Sequence, residues 1–78
     1  MNHEESNKLL TDLSWRIKKL RKEKNITQEA LAEKSGLSQA QIARVEIAKT
    51  NPSLIFLAKL AIGLEVSLAE LVEDLKVS

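Results

Sequence analysis

Apolar positions along the chain recur at helical spacing, and no stretch alternates with the period of two that marks a half-buried strand. Leu9, Leu13, Ile17 and Leu20 fall on one stripe of a first helix, with Trp15 off that stripe. The helix is predicted to end near Lys24, because Asn25 tolerates the left-handed backbone that closes a helix. Before Leu9 no such pattern is present, so residues 1–8 are expected to be a frayed extension ahead of one domain over 9–76.

The polar residues between the apolar runs are those that start and stop helices. Thr27 is a good N-cap for a second helix from 28 to about 35, with Leu31 inward and Ala30 and Ala32 small enough for close approach. Gly36 ends it, since glycine enters positive φ without strain. Ser38 and Gln41 have the spacing of a capping box and open a third helix, whose inward pair is Ile42 and Val45. After Asn51-Pro52, Ser53 caps a fourth helix carrying Leu54, Phe56, Leu57, Leu60 and Ala61 and stopping near Leu64. Ser67 and Glu70 repeat the capping box before a fifth, with Leu68, Leu71, Val72 and Leu75 on its face. The prediction is an all-α fold of five helices.

At 78 residues the chain suffices for a single small domain, and nothing in it suggests a linker or repeat. Aromatic residues are 3% of it, so the core is built from Leu, Ile, Val and Ala. The lack of cysteine excludes disulfides and thiolate zinc sites and fits a reducing compartment. No apolar run is of membrane-spanning length and no signal peptide is evident, so the chain is expected to be cytoplasmic. Net charge is only +1, but it is unevenly spread: residues 16–24 hold six basic residues against one acid, and residues 65–78 four acids against one lysine.

Two short helices joined at Gly36 make a helix-turn-helix unit over 28–47, and each is too short to stand alone in water. Gln28, Leu31, Ala32, Gly36, Leu37, Ile42, Val45 and Glu46 stand where the Cro/CI-type (XRE-like) DNA-binding domains have their motif. Similarity continues through Asn51-Pro52-Ser53-Leu54 and the run Leu64–Leu71, about residues 13–72 in all. The chain resembles that lambda-repressor-like family, whose small stand-alone members include phage repressors and restriction–modification controller proteins. Two departures stand out: Ala48 and Glu65 occupy positions where the family often has glycine, so those helix ends must close differently or under strain.

With Leu37, Ile42 and Val45 facing inward, Gln39, Ala40, Ala43 and Arg44 form the outward face of the third helix. The resemblance makes that helix the one that enters the major groove. Gln39 has an amide suited to adenine, Arg44 a fork suited to guanine or phosphate, and the two alanines permit close approach. The expected phosphate contacts are Gln28, Ser38, Gln41, Lys49, Thr50 and Asn51, with Arg16 and Lys19 at the flank. The family pattern implies an ion pair between Arg21 and Glu46. A dimer interface is expected from Leu64, Val66 and Leu75, with Val77 nearby.

The resemblance implies a transcriptional regulator that binds a pseudo-palindromic DNA operator as a homodimer, with RNA polymerase as a further partner. An antitoxin-like or other protein-interaction module on the same fold is the alternative. An enzyme is not expected: His3 is the only histidine, and no nucleophile–base pair, paired carboxylates or phosphate loop stands out. Nothing points to a cofactor, metal, membrane partner or small-molecule effector.

Overall fold

The computed structural model describes residues 1–76. Five helices follow one another: α1 (His3–Glu23), α2 (Gln28–Ser35), α3 (Gln39–Glu46), α4 (Leu54–Leu64) and α5 (Leu68–Val72). The molecule measures 34 × 22 × 21 Å. At 1.5 Å per residue the 21 residues of α1 reach about 32 Å, so this helix runs the full long axis.

Residues 3–8 are helical, not frayed. The Asn2 side chain accepts the Glu5 backbone N–H (2.8 Å), and the Glu5 carboxylate accepts the Asn2 N–H (3.2 Å). Glu4 and Glu5 suit the positive end of the helix, and Lys8 reaches Asp12 at 2.9 Å. Hydrophobic periodicity misses this turn because its stabilisation is polar.

Four helix ends share one closure. After α1, α2, α3 and α4 a residue in the left-handed region turns the chain: Asn25, Gly36, Ala48 and Glu65. In each case the next residue's N–H reaches back five positions to a helix carbonyl: Ile26 to Arg21, Leu37 to Ala32, Lys49 to Arg44 and Val66 to Ala61, at 3.0–3.1 Å. Ala48 (φ 57°) and Glu65 (φ 58°) therefore make the glycine-type closure with a Cβ in place.

The core is Leu13, Ile17, Leu31, Ala32, Ile42, Val45, Leu60, Ala61, Leu64 and Leu71. α4 lies tightly against α2 at Gly63, where a Cβ would come within 2.9 Å of Leu31 Cδ1 and 3.0 Å of Ser35 Cβ. Leu64, expected at a dimer interface, is fully buried (0% exposed), because the register set at Gly63 turns it into the core.

α5 is shorter than its apolar pattern suggests. It stops at Val72, and Glu73 and Asp74 leave the helix, Asp74 at φ 61°. Two acids at a helix C-terminus oppose its dipole. Leu75 thus lies past the helix, yet still packs on the core with Leu68, Val66 and Val72. Val77 lies outside the described residues.

Candidate nucleic-acid interface

The two helices of the motif are fixed by short-range chemistry. Thr27 Oγ1 accepts the Ala30 N–H at 3.0 Å and opens α2. Gly36, at φ 70°, turns the chain, and a Cβ there would meet no neighbour, so the position needs glycine for its backbone and not for space. Ser38 and Gln41 then exchange hydrogen bonds of 2.9 and 3.1 Å, which start α3. That capping box occupies the Ser38 oxygen and the Gln41 carbonyl as acceptors. It leaves the Ser38 hydroxyl proton and the Gln41 amide N–H groups free to donate.

α3 buries Ile42, Val45 and Glu46 and exposes Gln39, Ala40, Gln41 and Arg44. Ala43 is only half-exposed, at the edge of the outward face. Gln41 and Arg44 also line a cleft of about 300 Å³ with Lys49, Thr50, Asn51, Pro52, Ser53 and Phe56. Two cations, two amides and two hydroxyls meet there. The end of α3 and the start of α4 thus share one donor-rich hollow.

Behind this surface lies a hydrogen-bonded cluster. Arg21 donates through Nε to Glu46 Oε2 (2.6 Å), through NH2 to Oε1 (3.0 Å) and through NH1 to the Ile26 carbonyl (2.8 Å). Gln28 Nε2 also donates to Glu46 Oε1, at 3.0 Å. α1, α2 and α3 are tied at one carboxylate whose side chain is 2% exposed. Burial alone pushes the Glu46 carboxyl up and is the largest single influence on it. The hydrogen bonds from Arg21 and Gln28, with the Arg21 and Lys18 charges, together outweigh burial and hold it below the ordinary carboxylate range. The Glu46 hydrogen bond in turn raises Arg21. The ion pair implied by the family pattern is present, and Gln28 joins it.

The basic face of α1 divides. Arg16 NH1 donates to the Glu70 carbonyl of α5 at 2.8 Å, so its guanidinium is held away from the motif. Lys19 sits 5.3 Å from the centre of the exposed Trp15 ring. The Lys18 charge acts on Glu46, helping to lower its carboxyl. Sequence reasoning passed over Lys18, although it is three residues before Arg21 and so on the same helix face.

A second surface is apolar. Leu54, Ile55 and Ile62 of α4 are all more than 60% exposed, and Ile47 after α3 is nearly so. Val66, expected at an interface, is half-buried, and Leu75 lines a groove with Leu9, Leu10, Leu13, Leu57 and Val72 of its own domain.

A profile of the helix-turn-helix (HTH_3) family matches residues 17–71, from the middle of α1 through α5. The chain belongs to the helix-turn-helix family. It is 39% identical over 62 residues to the control protein C.MunI of a Mycoplasma species, covering 78% of this chain and 84% of that one. It is 40% identical over 63 residues to the transcriptional regulator SinR of Bacillus subtilis, covering 80% of this chain but 57% of that longer one. Among solved structures, the restriction–modification controller protein C.AhdI of Aeromonas hydrophila superposes with a TM-score of 0.77 at 37% identity, over 80% of this chain and 94% of that one. As a member of this family the chain is a DNA-binding regulator of transcription, on the Cro/CI-like five-helix fold. No helix among the described residues is long and apolar enough to cross a membrane.

Proposed function

We propose that the chain is a sequence-specific regulator that acts in the cytoplasm by binding and not by catalysis, setting α3 into the major groove of a pseudo-palindromic operator. Two copies bind together, one recognition helix per half-site, and regulate by their position relative to RNA polymerase. The observation that carries this reading is the exposed face of α3 beside the donor-rich cleft, on a helix locked to α1 and α2 by the Arg21–Glu46–Gln28 cluster. A rigid platform suits base reading, because a hydrogen bond to a base edge tolerates little displacement.

In this reading Gln39 pairs with adenine N6 and N7, and Arg44 with guanine O6 and N7 or a phosphate. Ala40 and Ala43 let the helix approach thymine methyls. Lys49, Thr50, Asn51 and Gln41 line the cleft and hold a phosphate. Ser38 donates its hydroxyl proton to the backbone near the start of α3. Gln28 spends one amide N–H on Glu46 and offers the other to a phosphate, and Lys18, whose charge acts on Glu46, adds to the positive potential. Arg16, tied to α5, is left out of this set.

The test is selection of binding sites from a random DNA library, then fluorescence anisotropy on the selected duplex and on a scrambled one. A two-fold-related motif bound at least about a thousandfold more tightly than scrambled DNA is expected. Equal affinity for both duplexes overturns sequence-specific recognition.

A further inference from the structure

We infer that Glu46 is a positioning residue for DNA binding: without touching DNA, it holds the Gln28 amide in the orientation that meets the DNA backbone. This rests on the phosphate contact assigned to Gln28 above and names what restricts that contact to one orientation. An amide side chain has two ends of nearly equal size, a nitrogen that donates and an oxygen that accepts. On a free glutamine they exchange by rotation of the last bond, and only the nitrogen end attracts a phosphate. An ionised carboxyl carries no proton and can only accept. Glu46 Oε1 accepts from Gln28 Nε2 at 3.0 Å, so turning the amide over would set oxygen against oxygen. The nitrogen stays at this junction, and its second N–H is left to donate.

The link is closed into a ring. Arg21 holds both Glu46 oxygens, at 2.6 and 3.0 Å, and its NH1 donates to the Ile26 carbonyl at 2.8 Å. Ile26 lies two residues before Gln28, so Glu46 grips the entry to α2 twice, at the backbone through Arg21 and at the side chain directly. Thr27, between the two, is the cap that starts α2. Glu46 itself is the last residue of α3. The phosphate-binding nitrogen is therefore placed relative to the recognition helix as well as to α2.

Ion pairing alone does not call for Gln28. Arg21 already gives Glu46 two hydrogen bonds and the opposite charge, and Gln28 is only half-buried, so water can serve the carboxylate on that side. The charges suit the same role. A bare carboxylate behind Gln28 would repel a phosphate in front of it. Arg21 neutralises that carboxylate, and the Lys18 charge acts on it as well.

The experiment is a double-variant cycle read by fluorescence anisotropy on the selected and the scrambled duplex, with circular dichroism as the control for folding. Gln28→Ala should weaken binding about 10-fold on both, because a phosphate contact carries no sequence information. Arg21→Met with Glu46→Met exchanges the buried pair for apolar side chains of similar length, a change that buried pairs tolerate, and leaves Gln28 in place. It should weaken binding by the same factor, and adding Gln28→Ala to it should weaken binding no further. A merely structural role for Glu46 gives losses that multiply, to about 100-fold. NMR of the wild-type Gln28 side chain needs no variant and decides the matter if the pair variant does not fold. One amide proton should be protected from exchange in the free protein, and the second only once duplex is added. Multiplying losses, wild-type binding by either Gln28→Ala or the pair variant, or two freely exchanging amide protons on duplex each overturn the role given to Glu46. A wild type that binds both duplexes equally overturns sequence-specific recognition instead, and the cycle stays readable, since scrambled DNA reports the phosphate contact alone.

Discussion

Gln39 and Glu46 lie on one short helix and face opposite ways. Gln39 is exposed and makes no side-chain hydrogen bond within the described residues. Its replacement should cost recognition and leave stability alone. Gln39→Ala is expected to lose about 1–3 kcal/mol on the selected duplex and almost nothing on scrambled DNA, with an unchanged urea midpoint. Equal loss on both duplexes would move Gln39 to the backbone contacts. Glu46 is the reverse case. Removing either partner of a buried pair leaves the other charged and unsatisfied, so Arg21→Ala and Glu46→Ala should each cost about 3–5 kcal/mol in urea melts. The double variant should cost less than the sum, and strict additivity would mean that the pair contributes no coupling. The pH dependence has a definite sign. A carboxyl held below its unfolded value near 4.5 stabilises fully above that pH, and the contribution disappears as pH falls through the lower folded value. A variant with apolar residues of similar size at 21 and 46 should lose that part of the acid slope. Its stability measured from pH 6 down to pH 2 should fall less steeply than that of the wild type.

Among elements, the helix boundaries were the most legible part of the sequence, because caps are local chemistry. Thr27, Ser38, Ser53 and Ser67 each cap the helix they precede, and Ser38–Gln41 and Ser67–Glu70 close the expected boxes. The start of α1 at Asn2–Glu5 is the same device, missed because no apolar stripe accompanies it. Gly63 went unnoticed for another reason: its role is tertiary, the approach of α4 to α2, and a lone glycine inside an apolar run carries no local mark. Misplacing Leu64 followed from that omission. Two measurements separate the roles glycine plays here. Ala48→Gly should stabilise by up to about 1 kcal/mol, since relief of a left-handed Cβ outweighs the extra freedom of the unfolded chain. Gly63→Ala should destabilise by about 1–3 kcal/mol through overpacking on Leu31 and Ser35. Thermal melts of the two variants should shift in opposite directions.

For the whole molecule, a net charge of +1 says little about DNA, yet placement changes this. Arg44 and Lys49 meet in one cleft, and the Lys18 charge acts on Glu46 behind the motif, while the four acids of residues 65–78 follow α4. Binding should release counterions accordingly. A plot of log affinity against log salt should be linear and steep, and Lys49→Ala should lower its slope by about one per contacted phosphate. A flat plot would remove backbone contact from the account. Which of the many basic residues of α1 approach the motif was not legible in the sequence. A run such as Arg-Ile-Lys-Lys-Leu-Arg spreads charge around the helix, and only the packing of α5 on one side and α3 on the other sorts Arg16 from Lys18.

The buried cluster and the exposed face of α3 share no side chain. Ile42, Val45 and Glu46 hold α3 from its buried side and the exposed Ser38–Gln41 cap fixes its start, and none of these is Gln39, Ala40 or Arg44. Those three positions can therefore vary without weakening the domain. Mutation can rewrite the preferred DNA word one letter at a time, with every intermediate still folded. Lineages of such regulators are then free to part company from one another's binding sites, and a duplicated copy can acquire its own targets before it loses its shape.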